Sequence, residues 1–215
     1  MKTFVVIGLG RFGMAVAKEL RLLGHEVLAI DTNPANIQHI ADEVTHAAAG
    51  DARDEGVLKL LGVQNYDYGI VAVGGDVGDS ALIALTLKEI GVKTVICKAQ
   101  SHIHRRLLEK LGVDRVIFPE NEMGVKLAQN LSSSNILNFI ELSDTYGMVE
   151  ISVPLAWVGK TLAGLNVRAK YHVNIIAVRR GEDMHVSPGG EFVLFEGDVA
   201  MTVGRDEDIN RLHGL

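Results

Sequence analysis

The hexapeptide Gly8-Leu9-Gly10-Arg11-Phe12-Gly13 constrains this chain more than any other stretch. It follows the apolar run Phe4-Val5-Val6-Ile7 directly and opens a segment with helical apolar period, so it reads as strand, glycine turn, helix. Each glycine has a separate duty. Gly8 permits the tight turn, Gly10 lets backbone amides approach a ligand closely, and Gly13 lets the helix lie close to the sheet. A helix beginning there presents unpaired amides and a partial positive charge, which suits phosphate.

The same alternation continues to about Phe118. Val27 to Ile30, Ile70 to Val73, Val95 to Cys97 and Val116 to Phe118 are near-continuous apolar runs, as strands covered on both faces require, and His46 to Ala49 is a weaker one. Gly24, Gly62, Gly91 and Gly112 each follow a helical segment as C-terminal stops, and Asn33-Pro34 is a helix start. A helix-like segment spans Met123 to Leu131, and Ser132-Ser133-Ser134-Asn135 then breaks the pattern. Beyond it the text becomes β-rich, with strands expected at Met148 to Val153, Val173 to Val178, Glu191 to Phe195 and Val199 to Val203. A short helix near Leu162 and a final one over Asp206 to Leu212 complete it. The expected fold is α/β, a Rossmann-like doubly wound parallel sheet in residues 1–134 followed by a small α+β domain in 135–215.

Composition excludes several classes. With 47% hydrophobic and 22% charged residues the chain can bury a core, which removes disorder as the default. A net charge of -6 argues against neutralising a nucleic-acid backbone. The single cysteine, Cys97, forms no internal disulfide and no thiolate cage, which suits a reducing, cytoplasmic setting. No stretch approaches the roughly 20 apolar residues of a membrane helix, so any membrane role comes through a partner.

Asp31 ends the second strand, where a carboxylate accepts hydrogen bonds from ribose hydroxyls and repels a 2′-phosphate, disfavouring NADP; it reads alternatively as a cap beside Asn33. Arg11 faces the phosphate position and favours a polyphosphate, or is a solvated first-turn residue. Asp51 and Ala52, Gly74, and Lys98 fall on the same carboxyl edge of the sheet. There Asp51 and its loop can frame the base, Gly74 can admit the nucleotide, and Lys98 can neutralise phosphate or hold a carboxylate, the alternative for a lone lysine or aspartate in a loop being simple solvation. Glu120 can help hold a divalent cation on phosphate, or is acidic enrichment at a helix start. A proton donor oriented by a carboxylate is missing from the eight histidines, Ser132 to Ser134 lack a strained elbow, and Cys97 sits in an apolar strand. A small NAD-dependent oxidoreductase is therefore the alternative reading rather than the first.

Taken together, Val6 to Gly13, Val27 to Asp31, Gly50-Asp51-Ala52, Lys98-Ala99-Gln100 and Pro119 to Lys126 resemble the regulators of potassium conductance (RCK), of the KtrA/TrkA type. Asn138 to Asp144, Leu165 to Tyr171 and Gly197 to Gly204 are similar to that family's C-terminal domain. The resemblance implies a non-enzymatic cytoplasmic subunit, peripheral to the inner face of the membrane. It would assemble as dimers into a homo-octameric ring, bind ATP or ADP, with NAD a further candidate, and control a membrane potassium transporter of the KtrB/TrkH class. Gly8, Gly10, Phe12 and Gly13 would hold the phosphates, Asp31 and Asn33 the ribose, and Asp51, Ala52, Gly74 and Lys98 the rest of the pocket. Arg11 would reach the terminal phosphate of a neighbour's nucleotide, and Glu120 a cation between subunits. Some members bind cyclic di-AMP between C-terminal domains, through positions corresponding to Asn166, Arg168 and Asn174; the sequence departs nearby at Ala163 and Pro188-Gly189-Gly190.

Overall fold

The computed structural model describes residues 1–132, 136–143 and 145–214; Ser133, Ser134, Asn135, Asp144 and Leu215, and with them the core of the expected linker, lie outside the described residues. The chain forms two compact units, 1–121 and 122–215.

In the first unit strands and helices alternate. They are β1 (Thr3–Ile7), α1 (Arg11–Leu22), β2 (Glu26–Asp31), α2 (Pro34–Ile40), β3 (His46–Ala49), α3 (Glu55–Leu60), β4 (Tyr68–Val71), α4 (Val77–Glu89), β5 (Thr94–Lys98), α5 (His102–Lys110) and β6 (Arg115–Ile117). The strands pair in parallel in the order β3-β2-β1-β4-β5-β6, with Val5 opposite both Leu28 of β2 and Gly69 of β4. Chain direction reverses its sideways progress between β1 and β4, which opens a crevice at their carboxyl ends. Alternate residues of β1 enter different cores: Val5 and Ile7 pack with Leu28, Ile30 and Leu87, whereas Phe4 and Val6 pack with Val27, Ala29 and Ala17. Burial on both faces is why these strands read as unbroken apolar runs.

Local signals fix the helix ends. Asn33 Oδ1 accepts the Ala35 amide at 3.0 Å with Pro34 in the first turn, and Asp54, Asp76 and Ser101 cap α3, α4 and α5 in the same manner. The glycines expected to stop helices do so in the left-handed region, with φ from 70° at Gly62 to 95° at Gly91.

The division between units falls within α6 (Pro119–Ser132), ahead of the expected boundary at 134/135. The second unit contains β7 (Ile136–Ser143), β8 (Tyr146–Ser152), α7 (Leu162–Leu165), α8 (Val167–Tyr171), β9 (Asn174–Arg180), β10 (Asp183–Val186), β11 (Val199–Arg205) and α9 (Asp206–Asn210), followed by a 3₁₀ turn at Arg211–Gly214. Its antiparallel sheet runs β10-β9-β11-β8-β7 around a core that includes Val149, Ile151, Trp157, Leu194 and Ile209. Two strands were not expected, β7 and β10, and the expected strand at Glu191 to Phe195 is not one. That segment forms an isolated bridge between Val193 and Thr161 and is tied to Gly159 and Lys160 through the Leu194 backbone. The turn from Gly189 to Phe192 before it and Gly197, at φ 85°, after it leave no length for a ladder.

Candidate functional site

A cavity of roughly 300 Å³ opens at the carboxyl edge of the parallel sheet. Gly8 and Gly10 from the turn after β1, Asp31 from β2, Asp51 and Ala52 from the loop after β3, and Gly74 after β4 all line it, as do Thr32, Arg53, Asp79 and Ile83. The first six were legible in the sequence. Arg53 and Asp79 were not, because a loop arginine and a first-turn aspartate carry no motif.

The glycine turn is built for close approach. Gly8 has φ +91°, and a Cβ there would lie 2.8 Å from the Val73 nitrogen. At Gly13 a Cβ would fall 1.9 Å from the Gly8 carbonyl oxygen, so only glycine lets α1 begin there. A Cβ on Gly10 would meet nothing within 4 Å, which leaves open space over the turn. No side chain caps α1, and its first internal bond is from Met14 N to Gly10 O. The amides of Arg11, Phe12 and Gly13 precede that bond and lack intrahelical acceptors, which is the donor array an anionic oxygen requires.

Asp31 does two things. Its Oδ2 accepts the Leu9 amide at 2.6 Å and its Oδ1 accepts the Asn33 amide at 2.7 Å, so the carboxylate ties the glycine turn to the end of β2. Each oxygen keeps a lone pair for a ligand hydroxyl. Asn33 itself is engaged as the α2 cap and does not line the cavity.

Asp51 is fully committed. Arg53 donates to it from its amide at 3.0 Å, from Nε at 2.9 and 3.1 Å, and from Nη2 at 2.6 Å. The Arg53 side-chain bonds hold the Asp51 carboxyl at about 2, below the usual carboxylate range, and Asp51 in turn raises the Arg53 guanidinium. The pair therefore stays ionised at neutral and mildly acidic pH. Arg53 Nη1 also reaches Asp79 Oδ1 at 3.4 Å.

Lys98 and Glu120 face each other at 2.5 Å, outside the cavity lining, with the Lys98 ammonium 5.9 Å from the centre of the half-buried Phe12 ring. The Lys98 contact lowers the Glu120 carboxyl. Within one chain, then, the expected phosphate-neutralising lysine and cation-binding glutamate neutralise one another. Among the described residues no three His, Cys, Asp or Glu side chains gather to hold a metal. Arg11 is exposed on the first turn of α1 and does not line the cavity.

A second cavity of about 320 Å³ lies in the second unit and is lined by Asn166, Arg168 and Asn174, with Ala163, Pro188 and Gly190. The three residues named from the sequence do meet. Arg168 Nε donates to Asn174 Oδ1 at 2.6 Å, and Asn166 occupies the left-handed region at φ 47° as the joint between α7 and α8.

Among the described residues no helix is long and apolar enough to cross a membrane. Residues 4–119 match the TrkA-N domain and residues 148–215 the TrkA-C domain. The chain is 44% identical over 210 residues to Ktr system potassium uptake protein A of Bacillus subtilis (strain 168), covering 98% of this chain and 95% of that protein. It is 36% identical over 215 residues to the protein of the same name from Vibrio alginolyticus, covering 100% and 98%. Among solved structures, the GsuK channel bound to NAD superposes with a TM-score of 0.68 at 19% identity, over all of this chain and 39% of that one, a likeness of fold. With both domains matched and relatives this similar along nearly the full length, the chain belongs to the TrkA-N/TrkA-C family of regulators of potassium conductance, of the KtrA/TrkA type.

Proposed function

We propose that this chain is an ATP- and ADP-sensing regulatory subunit, without catalytic activity, that gates a membrane potassium transporter of the KtrB/TrkH class from the cytoplasmic side. The observation that carries the reading is the convergence, on one cavity, of a glycine turn with open α1 amides and an Asp31 that braces that turn. Phosphates suit the amides and ribose hydroxyls suit Asp31, so the residues present fit an adenosine phosphate. The relatives named for potassium uptake support the transport role.

On this reading residues 1–134 sense nucleotide and residues 135–215 form the second ligand domain, in dimers that assemble to an octameric ring. An exposed Arg11, standing outside its own cavity, suits a terminal phosphate held by a neighbouring subunit. Glu120 would serve a divalent cation only with ligands from a second subunit that displace or share Lys98. The Asn166, Arg168 and Asn174 cavity would take cyclic di-AMP.

A regulator must bind its two ligands differently in its two states, because a ligand shifts an equilibrium only by its differential affinity. Calorimetry on protein freed of nucleotide tests the reading: ATP and ADP bind, NADP binds at least tenfold more weakly, and Arg11→Ala narrows the difference between ATP and ADP in the assembled protein. NADP as the tightest ligand would overturn it. A small NAD-dependent oxidoreductase stands second, resting on the glycine turn and Asp31 alone; steady reduction of NAD by hydroxy acids would put it first.

A further inference from the structure

Adjacent strands of a sheet lie about 4.8 Å apart. The glycine turn ends β1, Asp31 ends β2 and the Asp51 to Arg53 loop follows β3, and these strands are neighbours in the order β3-β2-β1. Phosphate, ribose and base subsites therefore succeed one another across the edge, and the base falls to the loop that carries Arg53.

The Arg53 guanidinium bridges two walls of the cavity. Nε and Nη2 are bonded to Asp51, in the loop after β3, and Nη1 lies 3.4 and 3.5 Å from the two oxygens of Asp79, in the first turn of α4. A guanidinium donates only in its own plane. With those edges turned to carboxylates, it has its flat face to offer a ligand, and a delocalised, weakly hydrated cation stacks readily on aromatic rings. Ala52 and Ile83, only 4% and 3% exposed, add apolar surface to the same cavity.

We propose that Arg53 is the base-holding residue of this site: its guanidinium face covers the purine, while Asp51 and Asp79 are positioning residues that fix the plane. This rests on the nucleotide-sensing reading above. It also assigns the three cavity carboxylates distinct tasks, Asp31 for ribose and Asp51 and Asp79 for Arg53. Charge balance alone is the competing account, in which Arg53 offsets the two aspartates so that a polyanion can enter. A lysine would serve that purpose, but it has no planar face.

The test is calorimetry of the full chain with ATP, ADP and ribose 5-phosphate, a probe that lacks the base. Arg53→Gln should weaken ATP and ADP by one common factor, about two- to thirtyfold for a lost cation–π stack, and leave ribose 5-phosphate unchanged. Arg53→Lys should not restore ATP. The Arg53 side chain is half exposed, so both variants should melt with the wild type. Wild-type affinity in Arg53→Gln, full rescue by Arg53→Lys, or equal loss of ribose 5-phosphate each overturns the stacking role while leaving the nucleotide reading intact. Failure of the wild type to bind ATP and ADP would overturn both.

Discussion

In the first unit the decisive wall of the cavity is main chain, Gly8 to Gly13, whereas in the second it is side chains carried on helices of four and five residues, α7 and α8. A main-chain wall fixes its donors by backbone geometry and tolerates no extra atom where it touches neighbouring backbone. A side-chain wall depends on rotamers held by their own hydrogen bonds, here Arg168 to Asn174. The first cavity should therefore fail by steric exclusion and the second by loss of individual contacts.

Matched glycine substitutions give the largest expected contrast. Gly13→Ala places a Cβ 1.9 Å from the Gly8 carbonyl oxygen, which no side-chain motion can relieve. It should cost about 3 kcal/mol or more and abolish ATP binding. Gly190→Ala, in the second cavity, puts a Cβ 3.2 Å from Ala163 Cβ and should stay within about 1 kcal/mol of the wild type. Denaturant midpoints decide it; similar losses at both positions would erase the distinction.

Next comes Asp31→Ala, which strips the braces from the Leu9 and Asn33 amides as well as the proposed ribose acceptor. Hydrogen bonds to a charged group contribute about 1.5 to 3 kcal/mol each. Affinity for ATP and ADP should fall together by about a hundredfold in calorimetry, because the two share ribose and turn. A loss confined to ATP would instead place Asp31 at the third phosphate. On the proposed ligand assignment, Arg168→Ala in the second cavity removes one donor and should weaken cyclic di-AMP by about tenfold, leaving ATP at the first cavity unchanged.

The same contrast explains what was readable in the sequence. Gly8 and Gly13 announce themselves because backbone geometry demands glycine there, Gly10 and Asp31 through their spacing in the strand-turn-helix motif, and the parallel strands through burial on both faces. Arg53 and Asp79 pair across a gap in sequence that only folding closes, so nothing local marks them. Lys98 and Glu120 were each readable as ligand groups, but their mutual pairing came from β5 and α6 meeting in space. In the second unit β7 hid behind a serine-rich break, and the Glu191 to Phe195 run looked like a strand because Leu194 is buried in the core and Phe192 packs against it. Apolar composition signals burial, not the hydrogen-bonding partner.

Side chains also hold the first unit together at the Ser80–His104 pair, where the contrast can be sharpened by pH. Both residues are fully buried. Gln100 N donates to His104 Nδ1 at 3.3 Å, so Nδ1 is the acceptor and Nε2 carries the proton toward Ser80 Oγ at 2.8 Å, while Ser80 donates to Val77 O at 3.1 Å. Charging the ring would set an Nδ1–H against the Gln100 amide, and burial already lowers the His104 pKa. An unfolded histidine titrates near about 6.5, so below that pH the unfolded chain binds a proton that the folded one refuses. Stability should be flat above about pH 7 and fall as pH drops through 6, with a slope no steeper than about 1.4 kcal/mol per pH unit from this group. The depressed carboxylates, Asp51 and Asp67 at about 2, titrate well below this window and do not contribute to the slope. His104→Gln, which keeps an amide near Ser80, should lower stability at pH 8 and flatten the curve between pH 7 and 5.5. An unchanged slope in that variant would assign the acid sensitivity to other titrating groups and remove the Ser80–His104 pair as its source.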